Sequence, residues 1–169
     1  MTQLIFSRRL FLASGAVAVL AACSGGTPKA SASSPSQFTD DEWRALREED
    51  WKTRLSPGAF AVLRKHDTER AFTSPLNDEK RAGTFHCAGC DLALFLSDVK
   101  FDSGTGWPSF WDFIPGTLAT SIDRKLFIAR TEYHCARCLG HQGHVFEDGP
   151  PPTGLRYCNN GVALTFKPA

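Results

Sequence analysis

Two cysteine pairs constrain this chain more than any other feature: Cys87-Ala-Gly-Cys90 and Cys135-Ala-Arg-Cys138, 44 residues apart, each preceded by a histidine, His86 and His134. Two residues between thiolates let a tight turn aim both sulfurs at one ion. Two such turns complete a tetrahedral shell of four sulfurs, the donor set of structural zinc. Four protein ligands leave no open position for catalysis, so such an ion would weld two distant parts of a small domain. The same cysteines also suit two disulfides, within the pairs or between them. A redox dithiol fits less well, because no thioredoxin-like βαβ pattern surrounds either pair.

At 169 residues the chain is long enough to bury a core without disulfide staples. A net charge of +1 with 22% charged residues gives no bulk attraction for nucleic acid, and a monomer is expected. Thr39 followed by Glu42 predicts a capping box that opens a helix running through Asp50. Ser56-Pro57 predicts the cap and first turn of a second helix, from Pro57 to about Lys65. Beyond Phe72, short apolar runs (Ala93 to Leu96, Thr117 to Ile122, Leu126 to Thr131) alternate with Gly, Pro and Asp clusters, which predicts antiparallel β-structure with long loops.

Residues 1–22 read as an export leader: no acid, Arg8 and Arg9, then an apolar run from Leu10 to Ala22 that is too short to span a bilayer, which takes about 20 residues. Ser7-Arg8-Arg9-Leu10-Phe11-Leu12 resembles a bacterial twin-arginine signal. Leu20-Ala21-Ala22-Cys23 resembles a lipobox, which would lipidate Cys23 and anchor the protein on the extracytoplasmic (periplasmic) side of the membrane, its only membrane contact; cleavage after Ala32 is the alternative. Residues 23–37, rich in Ser, Gly, Pro and Ala, read as a flexible tether, and residues 38–169 as the folded domain. Export bears on the cysteine pairs in both directions. An oxidising compartment favours disulfides, whereas a twin-arginine substrate folds and loads metal in the reducing cytoplasm, and on that ground zinc is preferred.

Cys158 lies in Gly154-Leu-Arg-Tyr-Cys-Asn-Asn160, where extended backbone would put Arg156, Cys158 and Asn160 on one face. A guanidinium beside a thiol favours the thiolate and predicts a lowered pKa. His141-Gln-Gly-His144 supplies two imidazoles, with Asp148 just beyond. The spacing lacks the glutamate and the i, i+4 histidines of common zinc proteases.

The strings Lys100-Phe-Asp-Ser-Gly-Thr-Gly-Trp-Pro-Ser-Phe110, Gly140-His-Gln-Gly-His-Val-Phe-Glu-Asp-Gly-Pro150 and Thr153-Gly-Leu-Arg-Tyr-Cys-Asn-Asn160, with both cysteine pairs, closely resemble the methionine sulfoxide reductase B family from about Phe38 to Phe166. The resemblance implies a mainly β (α+β) fold of small antiparallel twisted sheets with short N-terminal helices, and structural zinc on Cys87, Cys90, Cys135 and Cys138. It also implies reduction of the R epimer of methionine sulfoxide in oxidised proteins and peptides, and hence a repair role under oxidative stress. Cys158 matches the nucleophile, which would become a sulfenic acid. His141, His144 and Asp148 match the polar side of the pocket, and Arg156 and Asn160 the residues that flank and support the thiol. Trp107 matches the aromatic wall for the substrate methyl, with Phe146 a second apolar contact.

One departure stands out: many members carry a recycling cysteine where this chain has Thr105. Of the six cysteines, four are assigned to zinc, one to attack and Cys23 to lipid, which leaves no resolving thiol. Regeneration is therefore expected from an external thiol, thioredoxin-like or small, unless an unlipidated Cys23 reaches back on its tether. Gln142 and Asn159 also stand where the family is commonly apolar, at the expected pocket rim. The competing class is a non-catalytic, zinc-stabilised binding module with Cys158 merely buried. Met1 is the only methionine, so the mature chain would have no thioether of its own to lose.

Overall fold

The computed structural model describes residues 38–124 and 129–169. The leader, Cys23 and the tether lie outside the described residues, as do residues 125–128 of the third apolar run.

The domain opens with three short helices. Thr39 caps α1 (Asp40–Ala45), its hydroxyl accepting from the Glu42 N–H while Glu42 accepts from the Thr39 N–H at 2.6 Å. The helix does not run through Asp50 as its opening predicts. Leu46 and Arg47 are extended, and Asp50 accepts from the Arg47 N–H at 3.0 Å, capping a new helix, α2 (Glu48–Arg54). The break lets Trp43 and Trp51 stack at 5.8 Å within the core. Ser56 and Pro57 start α3 (Pro57–Lys65) as expected, and His66 ends it in the left-handed region at φ 57°. Ala59, Val62 and Leu63 form the buried face of α3.

Among the described residues nine strands follow: β1 (Gly83–Cys87), β2 (Ala93–Leu96), β3 (Lys100–Phe101), β4 (Ser109–Phe110), β5 (Leu118–Asp123), β6 (Arg130–Cys135), β7 (His141–Phe146), β8 (Arg156–Asn159) and β9 (Leu164–Pro168). They form a three-stranded sheet, β2-β1-β9, and a six-stranded sheet, β3-β4-β8-β7-β6-β5, antiparallel throughout. The mainly β, antiparallel fold with short N-terminal helices is thus the one the sequence predicts. Aromatic side chains from both sheets meet in the core: Phe85, Phe95, Phe110 and Tyr133 have no exposed surface, and the Phe95 and Phe110 rings stack at 4.0 Å. Among the described residues no helix is long and apolar enough to cross a membrane.

Each cysteine pair occupies the loop of one hairpin, β1–β2 or β6–β7, and the two loops share one backbone design. The register shifts just before each pair, between Phe85 and His86 and between Tyr133 and His134. The first cysteine's carbonyl accepts from the residue after the second cysteine (Asp91 to Cys87 at 2.9 Å, Leu139 to Cys135 at 3.0 Å), and that residue has positive φ, 61° or 58°. One loop comes from each sheet, so whatever the four sulfurs hold ties the two sheets together. Arg64 of α3 donates to the Cys138 carbonyl at 2.9 Å and Arg44 of α1 to the Ala136 carbonyl at 2.7 Å, docking the helices onto the second loop.

Candidate active site and metal centre

The four cysteines of the pairs are buried, and their sulfurs lie within 4.8 Å of one another, with Cys90 to Cys135 at 3.5 Å and Cys87 to Cys138 at 3.7 Å. A tetrahedral ion bound by four thiolates at about 2.3 Å sets its sulfurs about 3.8 Å apart, so the cluster fits such an ion closely. The disulfide alternative fails: all five described cysteines are free. The four-sulfur donor set is closed, and its part is structural.

Cys158 lies away from this cluster, on β8, and the sheet's register builds a row around it. Ser109 of β4 pairs with Cys158, Cys158 with His144 of β7, His144 with Glu132 of β6, and Glu132 with Ser121 of β5. Because side chains alternate along a strand, these positions share one face of the sheet, while Tyr133 and Tyr157 point into the core on the other. A cleft of about 120 Å³ is lined by Cys158, His144, Trp107, Phe146, Asn160, Asn159, Thr68 and Arg130. Most of the residues singled out in the sequence therefore line one cavity. A wider cleft of about 420 Å³ adjoins it, sharing Thr68, Arg130 and His144 and adding His141 and Glu132.

Two expected members stand elsewhere. Asp148 lines neither cleft; with its side chain 61% exposed, it grips Arg156 through two 2.8 Å hydrogen bonds. Arg156 is buried, its guanidinium 4.3 Å from the Phe146 ring centroid, so it lies behind the cleft wall. Asn160 falls one residue past β8 and acts as a strut: its amide donates to the Gln142 carbonyl and its oxygen accepts from the Glu69 N–H, both at 2.9 Å. The Glu69 carbonyl in turn accepts from the Trp107 indole at 2.9 Å, so one residue ties down both the aromatic wall and the strut. Gly106 is required beside the indole: its φ is 90°, and a Cβ there would lie 2.8 Å from the Phe72 ring and backbone.

The two imidazoles are each held by a carboxylate that the motifs did not flag. Glu132 accepts from His141 at 2.8 Å, from His134 at 3.0 Å and from Ser121 at 2.8 Å. Burial alone would raise the Glu132 carboxyl; hydrogen bonds from the two histidines and Ser121 outweigh it and hold the group well below the usual range. Asp123 binds His144 Nε2 at 2.8 Å and Arg130 at 2.6 Å. Burial lowers the His144 pKa, and Asp123 only partly restores it. Alternation along β6 could have flagged Glu132 as a charge opposite the core-facing Tyr133, but nothing local names its partners.

The expectation of an acidified thiol is overturned. Burial raises the Cys158 pKa, outweighing the opposing effects of Arg156 and of the Thr105 hydroxyl, which hydrogen-bonds the sulfur. Arg156→Met should push it higher still. Iodoacetamide alkylation of Cys158 followed against pH is expected to rise with a midpoint above that of a free thiol, and later again in the variant; a midpoint below the free-thiol value would contradict this electrostatic picture.

Gln142 and Asn159 are fully buried rather than at a rim. Tyr133 donates to Asn159 at 2.7 Å, Asn159 to Gln142 at 3.3 Å, and Gln142 to the Cys87 sulfur at 3.3 Å. This polar chain links the cysteine cluster to the residue beside the nucleophile.

Fold and site together define a thiol-chemistry domain: a β-structure clasped by a closed four-cysteine metal centre, with a separate cysteine in an aromatic and histidine-lined cleft. The chain belongs to the SelR domain family, whose model matches residues 55–168. Curated relatives carry the name peptide methionine sulfoxide reductase MsrB. That of Agrobacterium fabrum is 51% identical over 120 residues, covering 70% of this chain and 89% of that protein. That of Pseudomonas putida is 54% identical over 121 residues (71% and 91%), and that of Thioalkalivibrio sulfidiphilus 49% over 136 (80% and 93%). Among solved structures, the Mis18 'Yippee-like' domain is similar at TM-score 0.43 and 16% identity, over 53% of this chain and 98% of that one.

Proposed function

We propose that this protein reduces the R epimer of methionine sulfoxide in peptides and proteins to methionine, with Cys158 as the nucleophile. The observation that carries this reading is the cleft of about 120 Å³ in which the thiol, the Trp107 indole and the His144 imidazole line one cavity. A methylsulfinyl group offers three different substituents, and the cleft offers a different wall to each: indole for the methyl, imidazole for the oxygen, open solvent for the peptide. Inverting the sulfur would put oxygen against the indole.

The Cys158 thiolate attacks the sulfoxide sulfur, and the oxygen is protonated from the histidine side. In balance, cysteine thiol and sulfoxide become cysteine sulfenic acid and thioether: oxygen passes to Cys158, whose sulfur is oxidised by two electrons as the substrate sulfur is reduced by two. Because Asp123 occupies His144 Nε2, proton donation toward substrate calls for the imidazolium. With the His144 pKa lowered and the Cys158 pKa raised, imidazolium and thiolate coexist as a minor form, and turnover falls as pH drops through the His144 pKa and as it rises through that of Cys158. Asp123 favours the imidazolium, so Asp123→Asn is expected to move the acid fall to lower pH and to cut kcat at pH 7 by about tenfold with KM little changed. An unshifted pH profile would remove Asp123 from this positioning role.

Thr105 carries a hydroxyl, which cannot close a disulfide. The sulfenic acid is therefore reduced by two external thiols, which leave as their disulfide with one water; a thioredoxin-like protein or a small thiol supplies them. Cys87, Cys90, Cys135 and Cys138 would hold one zinc ion per chain, which would supply structure only. The leader and lipobox support export to the extracytoplasmic side with a lipid on Cys23, where the enzyme would repair oxidised proteins. Labelled palmitate is then incorporated by cells expressing the full chain and not by those expressing Cys23→Ser. Steady-state assays on the R and S sulfoxides of blocked methionine test the reaction itself. Strict preference for R is expected; equal rates on both epimers would overturn it.

A further inference from the structure

His66 ends α3 at the rim of the 420 Å³ cleft, outside every motif that the proposed reaction uses. Its ring stacks on that of His141 at 4.9 Å with the planes 26° apart, and His141 Nδ1 lies 2.8 Å from Glu132. One donor atom from each of His66, Glu132 and His141 falls within 4.8 Å of the other two. Glu132 and His141 are each only 2% exposed, whereas His66 is at the surface, so two ligands are fixed by packing and the third stands at the entrance. Two imidazoles and a carboxylate are the donor set that borderline transition cations such as Ni²⁺, Co²⁺ and Zn²⁺ prefer. The cleft leaves room for water to complete the shell. Of the two arginines that line it, Arg130 is paired with Asp123 at 2.6 Å, and the buried Glu132 charge is met by hydrogen bonds from His141, His134 and Ser121.

We propose that His66, Glu132 and His141 form a second metal seat, which takes a divalent transition cation reversibly and blocks turnover when filled. The block rests on the reaction proposed above. A cation there would occupy His141, stand beside His144 in the same cleft and oppose the imidazolium by charge repulsion. The seat differs from the four-cysteine centre in donor type, in openness and in having no structural duty.

The test uses the protein with zinc on its cysteine cluster, titrated with Co²⁺ alone. His66→Asn is the key variant, because asparagine tolerates the left-handed backbone that His66 adopts at φ 57°. We expect one further equivalent of Co²⁺ to bind by calorimetry, with a visible spectrum free of thiolate charge-transfer bands, and peptide sulfoxide reduction to fall in step with occupancy. In His66→Asn the cation should bind at least about tenfold more weakly, with uninhibited turnover unchanged and the cluster zinc retained. Affinity unchanged in His66→Asn, no further equivalent bound, or a thiolate band marking capture at Cys158 would each overturn the seat. Binding at the seat without inhibition would overturn the block. An enzyme inactive without added cation would instead strike at the proposed reaction, since the calorimetry reads the seat without it.

Discussion

Cys158→Ser is expected to abolish methionine formation, lowering kcat/KM by about 10³-fold or more, while the domain stays folded with its metal in place. Serine is nearly isosteric, and β8 keeps its pairing with β4 and β7, so the Ser109–position 158–His144 row survives the change. What disappears is chemistry. A hydroxyl is far less acidic than even a buried thiol, and oxygen cannot accept the sulfoxide oxygen as a sulfenic acid does. Circular dichroism, metal content and thermal unfolding close to those of the parent would show that the loss is chemical.

Stripping the metal is expected to have the other large effect, and of the opposite kind: collapse of the fold. The cysteines stand on two hairpin loops, one from each sheet, and α1 and α3 dock on the second loop through Arg44 and Arg64. A closed thiolate site contributes on the order of 10 kcal/mol, comparable with the whole stability of a domain this size. Four buried sulfurs within 4.8 Å of one another would then lose the charge that holds them together. The Gln142–Asn159 chain would also release the backbone next to Cys158. Cys135→Ser, or a strong chelator, should abolish cooperative thermal unfolding and near-ultraviolet dichroism along with activity. A metal-free protein with an unchanged Tm would refute the structural role.

Features written in a few adjacent residues were legible before the structure. The cysteine pairs, the Ser56-Pro57 helix start and the Ala93 to Leu96 strand are local, set by turn chemistry and side-chain period. The break between α1 and α2 was missed because Asp50 reads equally well as a helix interior and as the cap that it is. The row through Ser109, Cys158, His144, Glu132 and Ser121 is invisible in the sequence, since strand register is a tertiary property and its members come from five separate strands. Glu132 and Asp123 escaped for that reason, although they hold both imidazoles. The spacing of Arg156 and Cys158 encodes their proximity, but burial, which governs the sign of the thiol's shift, has no local signature. Asp148 lies near His144 in sequence, yet its carboxylate faces Arg156.

The most direct measurement is one turnover without reductant, using the R and the S sulfoxide of a blocked methionine in turn, followed by a sulfenic-acid-selective dione and mass spectrometry. With the R epimer, one methionine per chain is predicted, with the label on Cys158 and no disulfide to any other cysteine; with the S epimer, neither product nor label. Methionine formed while Cys158 stays an unlabelled thiol, or equal labelling by both epimers, would contradict Cys158 as the nucleophile of a stereoselective cleft.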